Sequence, residues 1–84
     1  MKLVDLDSEV YQGTPVQIVS KMRNVYNRFN ANRAITNEEF MLVYIELFKF
    51  LKDPITCDGN TQEEKCISFI KSLLKSGQAK EIAS

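Results

Sequence analysis

An 84-residue chain makes one small domain, which buries only a little over half the surface of its unfolded chain and is therefore modestly stable alone. Eleven Lys and Arg balance eleven Asp and Glu, so the net charge is zero. That balance excludes a nucleic-acid binder working by bulk charge and an acidic mimic of DNA alike.

In chain order, residues 2–6 and 9–12 are short segments rich in β-branched, aromatic and aliphatic side chains on either side of Asp7-Ser8. This pattern predicts an N-terminal β-hairpin. Gly13 then frees the backbone, Thr14 stands at an N-cap, and Pro15 takes the first helical position, where its missing N–H is harmless. Thr14 is followed three residues later by Gln17, Thr36 by Glu39 and Thr61 by Glu64. A threonine hydroxyl accepting from the N3 amide, with the N3 side chain returning to the N-cap N–H, satisfies donors that a first turn leaves open. Three such boxes predict three helices.

The first helix carries Ile18, Val19, Met22, Val25, Tyr26 and Phe29 at helical spacing. It leaves Gln17, Lys21, Asn24 and Arg28 for solvent and ends near Phe29 or Asn30, with residues 30–33 as its loop. The second helix is expected over residues 37–52, stopping before Asp53-Pro54 because the residue before proline is pushed out of the α region. Its apolar residues cover well over half its circumference, and the wet strip is Glu39, Glu46, Lys49 and Lys52, interrupted by Leu42. Such a helix belongs at the domain centre or between two covered faces. The margins of that arc, Val43 and Phe50 on one side and Met41 and Ile45 on the other, are the candidate interface of a homodimer or higher oligomer. The third helix, residues 62–76, turns Cys66, Ile67, Phe69, Ile70, Leu73 and Leu74 inward and Lys65, Lys71 and Lys75 outward, with Gly77 ending it. Residues 78–82 form either a short return strand or a tail.

The chemistry-bearing residues are few. Histidine, the commonest general base and metal ligand, is missing, and Cys57 and Cys66 alone make no zinc set. Cys66 lies on an apolar stripe and reads as a small buried hydrophobe, while Cys57 falls in a loop where its reactivity is open. Aligning Asp58-Gly59-Asn60 with a calcium loop puts Pro54 and Lys65 where carboxylates are required, so it reads as a turn into the Thr61 cap. No residue supports an enzyme, and no cofactor or metal is expected. The apolar stretch 40–51 is interrupted by Glu46 and Lys49 and is too short for a membrane span. Two cysteines and no signal peptide point to a reducing, cytoplasmic setting. Between Tyr11 and Asn37 there is no acidic residue, and Lys21, Arg23, Arg28 and Arg33 stand among the four asparagines Asn24, Asn27, Asn30 and Asn32, and Tyr26. These four cations are the candidate contacts for nucleic acid or an anion. A solvated helix face followed by a polar loop is the plainer reading of the same residues.

The stretch Val10-Tyr11-Gln12-Gly13-Thr14-Pro15-Val16-Gln17 through Arg23 resembles the start of small uncharacterised bacteriophage and prophage proteins of Gram-positive-type bacteria. These begin with a hairpin, a Tyr-x-Gly-Thr-Pro turn and a helix. The likeness extends through residues 37–41 and 64–77. It implies a mobile-element origin, action in the host cytoplasm and binding to a larger host or viral machine; it carries over no catalytic residue. The expected fold is α+β, a hairpin on three helices with the second at the centre. The leading functional expectation is a non-enzymatic protein-interaction module. Second stands a nucleic-acid-binding accessory protein, and third an oligomer sequestering a small anion or nucleotide at the Gly13-Thr14 helix start.

Overall fold

Each of the three threonines opens a helix. In the computed structural model, which describes residues 1–31 and 33–83, α1 spans Pro15–Phe29, α2 Asn37–Leu47 and α3 Gln62–Ser76. Asn32, counted above in the polar loop, lies outside the described residues. Thr14 Oγ1 accepts the Gln17 amide at 3.2 Å while Gln17 Oε1 accepts the Thr14 amide at 2.9 Å. Thr61 and Glu64 form the same reciprocal pair, both bonds at 3.1 Å. Thr36 differs. Its hydroxyl caps the Glu39 amide at 3.1 Å, but the Glu39 carboxylate reaches past Thr36 to the amide of Ile35. Thr14→Ala, Thr36→Ala and Thr61→Ala are each expected to lower stability by about 1 kcal/mol. Unchanged denaturant midpoints in all three variants would remove the caps from the account.

The strands are β1, Lys2–Asp5; β2, Val10–Gln12; and β3, Ala79–Glu81. They form one antiparallel sheet in the order β2-β1-β3, with Leu3 opposite both Tyr11 and Glu81. The turn between β1 and β2 is tied by Asp5 Oδ1, which accepts the amides of Asp7 and Glu9, each at 2.9 Å. Ser8 takes the left-handed conformation there, with φ 67°. Strand alternation places Leu3, Asp5 and Tyr11 on the face toward the helices; Leu3 and Tyr11 are buried, and Asp5 sits half-buried at the end of that row. Gly77, at φ 80°, lets the chain reverse out of α3, and the Gln78 amide bonds back to Leu73 O at 3.0 Å. The reversal delivers residues 79–81 to the free edge of β1. The return segment is thus a strand.

Two expectations about the second helix are corrected. It ends at Leu47, not Lys52: residues 48–50 form a turn, in which Phe48 (φ −112°, ψ 24°) leaves helical geometry and its ring stacks on Tyr44 with centroids 4.5 Å apart. Because apolar residues lie on nearly every side of this segment, their spacing marked no boundary.

The centre of the fold is α3 rather than α2. Cys66, Phe69, Ile70 and Leu73 of α3 are buried, whereas α2 buries only Phe40 and Met41 among its apolar residues. Packed around them are Ile18, Val19 and Met22 of α1, Leu3, Tyr11 and Ala79 of the sheet, and Ala34 and Ile55 from the loops. The connection between α2 and α3 is pinned to α3 by hydroxyls. Ser72 Oγ accepts the Thr56 amide and Ser68 Oγ the Asp58 amide, both at 3.0 Å, and the Thr56 and Ser68 hydroxyls meet at 2.7 Å. Asn37, the first residue of α2, is buried and donates to Ser20 Oγ of α1 at 2.9 Å and to Gln62 Oε1 of α3 at 3.0 Å. One polar side chain therefore fixes how the starts of α2 and α3 sit against α1.

Candidate functional site

All three tyrosines and three of the five phenylalanines line one groove of about 230 Å³ between the sheet, the end of α1 and the end of α2. These are Tyr11, Tyr26, Phe29, Phe40, Tyr44 and Phe48. The elements above determine why they meet. Tyr11 faces inward from β2, Tyr26 and Phe29 lie one helical step apart on the last turns of α1, and Phe40, Tyr44 and Phe48 follow one another at four-residue spacing along α2 and its exit. Tyr44 packs edge-on against Phe69 at 5.3 Å and Phe40 at 6.0 Å, while Tyr26 meets Phe40 at 5.7 Å. The floor includes Met22, Leu73 and Ala79, all buried. The rim is open: Phe29 is 80% exposed and Leu47 56%.

Asp5 and Asp7 close one side of the groove, and among the described residues no Lys or Arg lines it. The Asp5 carboxylate accepts the Tyr11 hydroxyl at 2.9 Å in addition to its two turn amides. Tyr44 donates its hydroxyl to Gln78 Oε1 at 3.2 Å. Burial, reinforced by the charges of Asp5 and Asp7, pushes the Tyr44 phenol up to about 12. Burial also raises Tyr11, followed by its hydrogen bond to Asp5 and the surrounding carboxylate charge. Both rings are neutral at physiological pH. The carboxylates thus project their field into an aromatic concavity, a combination that favours cations and disfavours anions.

The candidate residues taken from the sequence do not gather at this groove. Met41 is fully buried in the core and so stands at no margin of a free surface. Val43 and Ile45 are half-buried, Ile45 against the core, and Phe50 is 76% exposed. Of the four cations, Lys21 and Arg23 are engaged within the fold: Lys21 Nζ donates to Val10 O at 2.8 Å and lies 5.7 Å from the Tyr11 ring centroid, and Arg23 Nη1 donates to Ile35 O. Arg28 and Arg33 are exposed. The helix start at Gly13-Thr14 is closed by its own capping box, and Pro15 has no amide hydrogen, so little remains there for an anion.

Cys57 and Cys66 are both free thiols. Burial is the main reason each is held above the usual thiol range; for Cys57 it outweighs the opposing influence of Lys65. Neither is primed as a thiolate nucleophile. Among the described residues no three His, Cys, Asp or Glu side chains come together to hold a metal ion, and no helix is long and apolar enough to cross a membrane.

No protein-family model, curated protein or solved structure matches the chain. The groove was not visible as a unit in the sequence because its walls come from β1, β2, α1, α2 and the segment around β3. A signal was present all the same: Tyr26 and Tyr44 are polar-tipped aromatics at positions that spacing assigns to an apolar face, and such residues commonly mark a wet edge of the core.

Proposed function

We propose that this chain is a non-enzymatic protein-interaction module of phage or mobile-element type, which holds a segment of a larger host or viral protein in the aromatic groove. The observation that carries this reading is the concentration of six aromatic rings in one open concavity rimmed by exposed Phe29 and Leu47. Aromatic anchors in desolvated pockets supply most of the affinity at protein interfaces. At about 230 Å³ the groove is smaller than the roughly 300 Å³ at which sites for small molecules and cofactors begin, and it suits a side chain or two of a partner instead.

The test is retention of a discrete protein from a bacterial lysate on the immobilised chain, compared with Phe29→Asp and Leu47→Asp. Both side chains are mostly exposed, so the variants are expected to keep the wild-type circular dichroism and lose the retained protein. Equal retention by the folded variants, or none by the wild type, would remove the groove from the function. Nucleic-acid binding is the lesser reading, since Lys21 and Arg23 already serve carbonyl groups of the fold. A retained fraction whose absorbance ratio is that of nucleic acid would favour it.

Self-association belongs to the same reading. Leu42 and Phe50, 55% and 76% exposed, leave apolar surface on and just beyond α2 for a second copy. Light scattering at micromolar concentration is expected to give more than the 9.7 kDa of one chain, and Phe50→Glu to give a folded monomer. A wild-type mass of one chain would rule the oligomer out.

A further inference from the structure

We infer that the anchor received by the groove is an arginine side chain of the partner, flanked by apolar residues; the inference rests on the interaction-module reading above. Four features of the groove converge on this chemistry. Its walls are rich in aromatic side chains, and on an aromatic ring a guanidinium stacks more readily than an ammonium because it is planar and weakly hydrated. Among the described residues its only charged lining side chains are those of Asp5 and Asp7, with no lysine or arginine to neutralise the pair.

The third feature is spare acceptor capacity. Asp5 Oδ1 and Oδ2 together take three hydrogen bonds from the fold, and a carboxylate offers about four lone-pair sites. The Asp7 carboxylate takes none among the described residues and is exposed. An incoming guanidinium thus finds one carboxylate fixed in place and a second free to close on it. Lys21, the cation beside Tyr11, is tethered to Val10 O and does not line the groove. Fourth, the rim residues Phe29 and Leu47 are exposed on the side formed by the helices, where apolar neighbours of the arginine would rest. A purely apolar anchor would leave the two carboxylates partly desolvated without compensation, and an acidic one would be repelled.

The experiment uses the full chain and four synthetic peptides, acetyl-Leu-Arg-Leu-amide and its counterparts with lysine, citrulline or leucine at the centre. Citrulline keeps the planar shape of arginine and removes the charge. Binding is read from the ring resonances of Tyr26 and Tyr44 by NMR titration. The arginine peptide is expected to bind about tenfold more tightly than the citrulline peptide, and the preference should shrink in Asp7→Asn, whose carboxylate holds no fold contact. A lysine peptide should bind less well than the arginine one, and the arginine preference should fall as salt rises.

Equal or tighter binding of the leucine peptide at the same resonances overturns the arginine assignment and leaves the interaction-module reading standing. Equal binding of the arginine and citrulline peptides overturns the role of charge. If none of the peptides shifts the groove resonances while the lysate partner is still lost on Phe29→Asp, the arginine anchor is wrong and the module reading survives. If both fail, the two readings fall together. Should Asp7→Asn alter the turn, Asp7→Glu provides the control: it keeps the charge and is expected to keep the arginine preference.

Discussion

Phe69→Ala is expected to lower stability by about 3–5 kcal/mol, a large share of what an 84-residue domain has. The side chain has no exposed surface, and it packs edge-on against Phe40 at 5.9 Å and Tyr44 at 5.3 Å. Its removal would leave a cavity beneath the groove that the pinned α3 cannot readily close, because Ser72 and Ser68 hold the neighbouring loop and Leu73 the reversal into β3. Phe69→Leu retains most of the apolar area and is expected to lose less than half as much. Urea unfolding followed by circular dichroism measures both. A loss below about 1 kcal/mol for Phe69→Ala would mean that the site collapses freely, and α3 could not be the centre of the fold.

What the sequence made legible is what local chemistry decides. The caps at Thr14, Thr36 and Thr61, the reversal at Gly77 and the turn at Asp7-Ser8 each depend on residues within a few positions of one another. The helix count and the α+β class followed from them. The second helix was harder because its core stripe is disguised. The residues that face inward are Asn37, Phe40, Met41, Tyr44, Ile45 and Phe48, a regular helical row, but it begins with a buried asparagine and lies among apolar residues that point elsewhere. A buried Asn37 is intelligible only once Ser20 and Gln62 are seen beside it. Spacing alone could not separate Met41, which is core, from Leu42, which is exposed.

The candidate site was less legible still, for a physical reason. Phe29 continues the apolar stripe of α1, yet it sits at the last turn, mostly exposed, and is left at the rim of the groove. Lys21 and Arg23 look like free cations on a solvated face; their partners are carbonyl groups of Val10 and Ile35, more than ten residues away. Backbone carbonyls leave no mark in an amino-acid sequence. The same holds for the groove, where the identity of each ring was on view but the juxtaposition depends on how β2, α1 and α2 are packed.

That packing can be challenged with pH. Raising the pH from 10 toward 12 is expected to destabilise the fold steeply, with Tyr44 and Tyr11 as the main contributors. Their usual phenol value is 10.0; burial, helped by the nearby carboxylates, pushes Tyr44 up to about 12 and raises Tyr11 too. A folded-state value above the unfolded one means that the native protein holds the neutral phenol more firmly than the unfolded chain does. The resulting stability is fully present below about pH 10 and is lost as pH rises through the folded-state values, because the unfolded chain releases its protons first. Denaturant midpoints across this range, with phenolate absorbance recorded alongside, give the slope directly. Tyr44→Phe removes one of the two titrations and should make the slope shallower, even though the bond to Gln78 is lost and stability at neutral pH falls slightly. Asp5→Asn removes the carboxylate that holds the Tyr11 hydroxyl and should let that ring ionise at lower pH. Stability that stays level from pH 8 to 12, with Tyr11 and Tyr44 ionising together near the usual phenol value, would show that these two rings are not packed against the core and that the groove lacks its floor and acidic edge.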